Sequence, residues 1–183
     1  MDRKSILIIL IFLVASACVG QSSQTTQTDA KGVAVTSYQT VLGKLLNDKD
    51  VANFIATNHC TSAAEFKVCK EAGMALWVDT SQIVKMVYMY SGNSDAFRRY
   101  RGPLPFGLSF YDPMWRVKEK LRGLNVDDSL SLQDSWQAGL PDEEGSPDHI
   151  HYWAIYKRYG MTVLYNSAGY DEDAYIYAIV VGE

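Results

Sequence analysis

The chain has 183 residues, of which 48% are hydrophobic, 21% are charged and 12% are aromatic. This composition is typical of a folded globular protein and excludes the disordered, collagen-like and coiled-coil classes. The formal net charge is -4, from 17 basic and 21 acidic residues, so we expect no nucleic-acid partner. With only 3 Cys and 3 His, the chain has little material for a metal-rich scaffold, and we expect no cofactor.

Residues 1–17 have the pattern of a secretory signal peptide. Arg3 and Lys4 form a short basic region, and residues 6–15 form an unbroken apolar run. This run is too short to cross ~30 Å of hydrocarbon as a helix, because a membrane span needs about 20 residues. We therefore expect a cleaved targeting segment.

The signal ends in Ala15-Ser16-Ala17-Cys18. Small residues before a Cys resemble the lipoprotein box of bacterial envelope proteins. The resemblance implies cleavage before Cys18, diacylglycerol on its sulfur and a further acyl chain, such as palmitate, on the new amino group. Two or more chains form a stable membrane anchor. By resemblance to Gram-negative sorting, Val19 favours the outer membrane, facing the periplasm. Ordinary cleavage that leaves a free N-terminal Cys is the alternative.

Residues 18–36 are expected to form a lipidated, flexible tether. They are rich in Gln, Ser and Thr and contain no large apolar residue other than Val. Such a segment cannot bury enough surface to order itself. A coil of about 18 residues spans roughly 25 Å root-mean-square, which separates the folded body from the membrane.

Two segments of the folded body resemble each other at an offset of 87 residues. The matched residues are Lys70, Gly73 and Met74 in the first segment and Lys157, Gly160 and Met161 in the second. In both, alternating apolar residues lead to a turn and then to a second run rich in β-branched and aromatic residues. This pattern predicts two β-hairpins, over residues 73–90 and 160–181.

Helical patterns precede both hairpins. Apolar stripes within residues 41–46 and 51–55 predict short helices before the first hairpin, with Asp48 or Asp50 as the cap. Asp112-Pro113 predicts a helix start before the second hairpin, because Pro is favoured at the first helical position.

A sheet with one apolar face needs a helical layer to cover it. We therefore expect an α+β fold of two tandem units, each consisting of short helices packed on an antiparallel β-hairpin sheet. The first unit covers residues 37–101 and the second covers residues 102–183.

This arrangement resembles that of the β-lactamase inhibitor proteins, and a single unit resembles the small lipoprotein of the outer-membrane barrel-assembly machine. Residues 102–110 (GPLPFGLSF), with Asp112 and a helix over 117–121, resemble an uncharacterised bacterial family that pairs a Leu-Pro-Phe-Gly-Leu motif with hairpin repeats. These resemblances cover about residues 37–183 and imply a fold, but they imply almost nothing about activity. The polar insert at residues 124–150 departs from them.

Cys60 and Cys69 are the remaining cysteines of a chain expected in an oxidising compartment. An even pair there predicts a disulfide. A redox-active pair is the alternative, but such pairs have closer spacing and a helix N-terminus nearby. A nucleophilic pair of His59 and Cys60 would require Cys60 to be reduced.

The sequence contains no familiar catalytic, phosphate-binding or dinucleotide-binding motif, so we expect no enzyme. The alternative is a metal- or small-ligand-binding periplasmic protein, or an enzyme, that uses His149 and His151. These histidines lie two residues apart among acidic side chains, an arrangement that can ligate a metal. The basic run Arg98–Arg101 is a candidate for binding phosphate or carboxylate, or for pairing with acidic loops.

Aromatic residues are abundant on the predicted strands. Tyr and Trp combine large contact areas with a polar tip and are enriched at binding hot spots. The candidate protein-binding residues are Trp77, Tyr88, Tyr90, Tyr165, Tyr175 and Tyr177. Simple cross-strand packing is the alternative for each of them. We expect their sheet face to bind another envelope or secreted protein, in an inhibitor, immunity or assembly role. A spacing lipoprotein without a specific partner is a further hypothesis.

Overall fold

The computed structural model describes residues 37–93, 96–122, 128–134, 150–156 and 159–182. Within these ranges the chain forms eight strands and two α-helices. The strands are β1 (Thr61–Ala63), β2 (Phe66–Cys69), β3 (Met74–Val78), β4 (Val84–Tyr90), β5 (Asp128–Asp134), β6 (Ile150–Tyr156), β7 (Met161–Tyr165) and β8 (Ile176–Gly182), and the helices are α1 (Lys49–Thr57) and α2 (Met114–Arg122). All eight strands form one antiparallel sheet in the order β1-β2-β3-β4-β8-β7-β6-β5.

The expected architecture of two tandem units is wrong, because the sheet continues through both of them. β4 pairs with β8, with Tyr88 opposite Val180. Strands from both halves of the chain contribute to the same core, on the side of the sheet where the helices pack. The fold is also richer in β-structure than short helices packed on hairpins, since each half supplies four strands and, in its described residues, one α-helix.

The two predicted hairpins are present as β3–β4 and β7–β8. Each is extended by two further strands that the sequence pattern did not indicate. β1 has three exposed residues and therefore no alternation of buried and exposed positions. The polar insert expected at residues 124–150 contains β5, which pairs with β6.

The similarity around Gly73 and Gly160 has a structural counterpart. Both glycines have a positive φ, of 68° and 52°, and each directly precedes a strand. The register of β3–β4 shifts at Trp77/Val78, and that of β7–β8 shifts at Leu164/Tyr165. These shifts are again 87 residues apart. The two hairpins therefore have an irregularity, of the kind seen at a β-bulge, at equivalent positions. The two hairpins thus share their local geometry within one sheet.

Helix α1 begins as the sequence predicts. The side chain of Asp48 accepts a hydrogen bond of 2.9 Å from the backbone N–H of Asp50, which caps the helix. Val51 and Phe54 then face the core. Ile55 is half-buried against the same core, and the other residues of the helix are exposed.

The first predicted helix, within residues 41–46, is absent. Residues 38–40 form only a 3-10 turn, and Gly43 follows with a φ of 76°. Leu45 instead forms an isolated β-bridge with Ile83. A left-handed glycine ends helical geometry, so the apolar stripe packs as an irregular segment.

Helix α2 begins at Met114, one residue later than expected. The carbonyl of Pro113 accepts the first helical hydrogen bond, from Val117. Asp112 does not cap the helix. Its buried carboxylate accepts hydrogen bonds from the backbone N–H of Ser109 and from Nζ of Lys120, both at 2.7 Å.

In the ranges that the structure describes, no helix is long and apolar enough to span a membrane.

Cys60 and Cys69 form a disulfide, which confirms the predicted pairing. Their Cα atoms are 4.2 Å apart. Cys60 follows α1, and Cys69 is the buried last residue of β2. The bond therefore ties the end of the helix to the β1–β2 edge of the sheet.

Candidate protein-binding face

The two faces of the sheet differ in what packs on them. Helices α1 and α2 contribute to the larger cluster of buried residues, on one face. The opposite face carries a second cluster, which we call the aromatic face. Its residues are Phe66, Val68, Ala75, Trp77, Met86, Tyr88, Tyr90, Ala96, Phe97, Trp153, Leu164, Tyr177, Ala178 and Val180. No residue of α1 or α2 belongs to this second cluster.

Cross-strand register places Phe66, Trp77 and Met86 side by side on β2, β3 and β4. All three side chains are half-buried. The next residues on this face, Tyr88 and Val180, are buried. The row Phe66–Trp77–Met86 is therefore the part of the aromatic face in β2–β4 that solvent reaches.

Trp77 is held in a defined orientation. Its Nε1 donates a hydrogen bond of 2.8 Å to Oε2 of Glu65, in the β1–β2 turn. The indole lines an open cleft of about 340 Å³, together with Lys67 and Asp79 among others. A Trp side chain fixed by a hydrogen bond beside a cleft loses little conformational freedom when it contacts a partner.

Tyr88 lies one cross-strand row further along the sheet. Its ring makes an edge-to-face contact with Phe66, with centroids 5.6 Å apart. Only 6% of the residue is exposed. Burial raises the pKa of the Tyr88 hydroxyl to about 12, because a buried phenolate loses its hydration.

Tyr90 and Tyr177 lie at the other end of this face. The ring of Tyr90 stacks on Phe97 with centroids 3.8 Å apart, and it meets Tyr177 edge-to-face. His151 stacks on Tyr177 at 3.9 Å. The chain's own aromatic side chains therefore pack over this end of the aromatic face.

The remaining two predicted binding residues lie elsewhere. Tyr165 is fully buried in the core on the helix side. Tyr175 is 54% exposed and forms an isolated bridge with Pro113, beside α2. The structure thus brings together four of the six predicted residues, which are Trp77, Tyr88, Tyr90 and Tyr177.

The members of the aromatic face that were missed from the sequence include Phe66, Met86, Phe97 and Trp153. Met86 precedes Tyr88 by two residues, so strict alternation along the strand would have placed it on the same face. Phe66 had no such signal, since the strand that contains it was not predicted.

The predicted metal or small-ligand site lies partly outside the described residues, because His149 is not among them. His151 is 4% exposed, and its Nδ1 lies 3.2 Å from the carbonyl oxygen of Tyr165. Across the described ranges, no group of three or more His, Cys, Asp or Glu is placed to hold a metal ion. Cys18, the predicted lipid attachment site, also lies outside these ranges.

Comparison of the chain with protein-family models, with curated proteins and with solved structures finds no match. The described residues define the class by geometry: an eight-stranded antiparallel sheet with two helices on one face and the aromatic face on the other.

Proposed function

We propose that the chain is a non-enzymatic, lipid-anchored protein of the cell envelope that binds another envelope or secreted protein through the aromatic face. The row Phe66–Trp77–Met86 carries this proposal. It is a half-buried apolar row on the face to which α1 and α2 do not contribute. Aromatic residues that combine an apolar body with a polar tip are enriched at binding hot spots.

The surroundings of this row support a protein as the partner. Protein interfaces have an apolar centre surrounded by a polar rim. The apolar row lies beside a cleft whose lining includes the charged residues Glu65, Lys67 and Asp79. A partner segment that covers the row and extends into this cleft would thus meet charged groups at its margin.

The Cys60–Cys69 disulfide supports an extracytoplasmic location, since such bonds persist in oxidising compartments. The proposed route to that location is the signal peptide at residues 1–17, with lipidation at Cys18 and a tether over residues 18–36. The outer membrane, facing the periplasm, is the proposed destination. The chain is acidic, so its attachment to an anionic membrane would depend on the lipid and not on charge.

Affinity purification from detergent-solubilised envelopes tests the proposal. We expect the native chain to recover one stoichiometric partner and Trp77→Ala to reduce its affinity at least about 30-fold, the loss typical of a hot-spot residue. Trp115→Ala is the matched control, because Trp115 is 40% exposed on α2. The proposal would be contradicted if the native chain were purified without a stoichiometric partner. It would also be contradicted if the Trp77→Ala variant bound the partner as tightly as the native chain does.

A further inference from the structure

We propose a second binding site, separate from the aromatic face, at which Arg99 holds an oxyanion, namely a carboxylate or a phosphate group. Arg99 lines an open cleft of about 360 Å³ formed by residues within 99–110. Arg101 and Ser109 also line this cleft. The described residues of its lining include no Asp or Glu, although the chain as a whole is acidic.

The guanidinium group of Arg99 is held by two aromatic rings. Its Cζ lies 4.1 Å from the ring centroid of Tyr111 and 5.5 Å from that of Phe110. Stacking on a ring leaves the N–H donors free in the plane of the guanidinium group. Among the described residues, no acceptor forms a hydrogen bond or ion pair with the Arg99 side chain. By contrast, Arg98 bonds Glu71 at 2.8 Å.

The backbone on both sides of Arg99 is fixed. The N–H of Arg98 donates to the carbonyl of Lys70 at 3.0 Å, and the N–H of Tyr100 donates to that of Tyr90 at 2.9 Å. Gly92 packs so closely on Arg99 that a Cβ there would lie 2.9 Å from the Arg99 nitrogen. Arg99 is therefore positioned before any ligand binds, which lowers the entropic cost of binding.

The geometry indicates the class of ligand. A guanidinium group forms two parallel, charge-assisted hydrogen bonds with a carboxylate or phosphate oxygen pair. Carboxylate and phosphate groups share this chemistry. The ligand could therefore be a phosphate ester, or it could be a carboxylate from an acidic side chain or a chain terminus.

Titration calorimetry of the purified full chain distinguishes the sources. The probes are inorganic phosphate and acetate, with ionic strength held constant by chloride. We expect saturable binding of at least one anion, weakened at least about tenfold by Arg99→Gln, since hydrogen bonds to charged groups contribute this much. Tighter binding of phosphate identifies a phosphate ester as the ligand, and tighter binding of acetate identifies a carboxylate. Arg98→Gln is the matched control and stays within about twofold of the native chain.

Two results would overturn this site. The first is that neither phosphate nor acetate gives more binding heat than chloride at the same ionic strength. The second is that the Arg99→Gln variant binds the anion as tightly as the native chain. If Arg99→Gln does not fold, Arg99→Lys decides the question, because lysine keeps the charge but loses the planar pair of donors. Weaker binding by the folded lysine variant then supports the site, and unchanged binding overturns it.

Discussion

Gly73 lies directly against the backbone of Tyr100. A Cβ at Gly73 would meet the carbonyl oxygen of Arg98 and the amide nitrogen of Tyr100 at less than 3.0 Å. The carbonyl of Gly73 also accepts a hydrogen bond of 3.0 Å from Tyr90. This contact fixes the segment that carries Arg99 against the start of β3, so the fold depends on a glycine here.

We predict that Gly73→Ala lowers the free energy of unfolding by more than about 1 kcal/mol. The glycine has a φ of 68°, which strains an L side chain, and the added methyl group would displace backbone atoms. Urea denaturation measures the change. Gly169→Ala is the control, because a Cβ there meets nothing within 4 Å. Equal stability of the two variants would contradict this account of the contact.

The disulfide gives a second prediction. Reduction of Cys60–Cys69, or its replacement by two serines, should lower the free energy of unfolding by about 3 kcal/mol, because a closed loop of about ten residues restricts the unfolded chain. Urea denaturation with and without reductant measures this loss. A midpoint unaffected by reductant, with thiol titration showing that the bond has opened, would count against a stabilising role.

Alkaline pH should destabilise the fold through Tyr88 and Tyr100. Burial raises the pKa of each hydroxyl to about 12, compared with about 10 in an unfolded chain. Their stabilising contribution is therefore complete below about pH 10 and is lost as the pH rises towards 12. The expected loss is up to about 3 kcal/mol for each tyrosine.

Urea unfolding over this pH range, with tyrosinate absorbance recorded in parallel, measures the effect. Tyr88→Phe removes one of these ionisable groups and should reduce the pH-dependent loss by up to about 3 kcal/mol. The same loss in the variant as in the native chain would rule out Tyr88 as a source.

Pairing between β4 and β8 predicts that the two halves of the chain do not fold alone. Residues Met86–Tyr90 pair with Ala178–Gly182, so a fragment that contains only one of these strands exposes an unpaired apolar edge. We expect separate fragments 37–101 and 102–183 to lack cooperative unfolding, and their mixture to regain it. Circular dichroism during thermal unfolding tests this. Cooperative unfolding of either fragment alone would show that it is an independent domain.

Local signals made the two hairpins and the disulfide predictable. Alternating β-branched and aromatic residues between turn residues indicate β3–β4 and β7–β8, and a cysteine pair in an exported chain indicates a disulfide. The joining of β4 to β8 had no local signal, because its paired residues, such as Tyr88 and Val180, lie in opposite halves of the chain. Two hairpins of similar sequence therefore suggested two units where the structure has one sheet.

The candidate site was predictable only in part. The sequence shows which strand residues are aromatic, but the pairing register of the strands determines which face of the sheet each side chain lies on. Tyr165 shares its face with Met161 and Val163, as alternation along β7 requires, so it belongs to the core on the helix side. Tyr177 is the extra residue at the irregularity in β8, since Leu164 pairs with Ala178 and Tyr165 with Ile176. That irregularity depends on the pairing of two strands, which the sequence of one strand does not determine.

Site-specific photo-crosslinking in the intact envelope asks whether a partner protein contacts the aromatic face. A photoreactive aromatic amino acid replaces Trp77 on the aromatic face in one variant and Trp115 on α2 in another. We expect a crosslink to one protein from position 77 and none to that protein from position 115. No crosslink from position 77, or the same crosslink from both positions, would contradict a partner bound at the aromatic face.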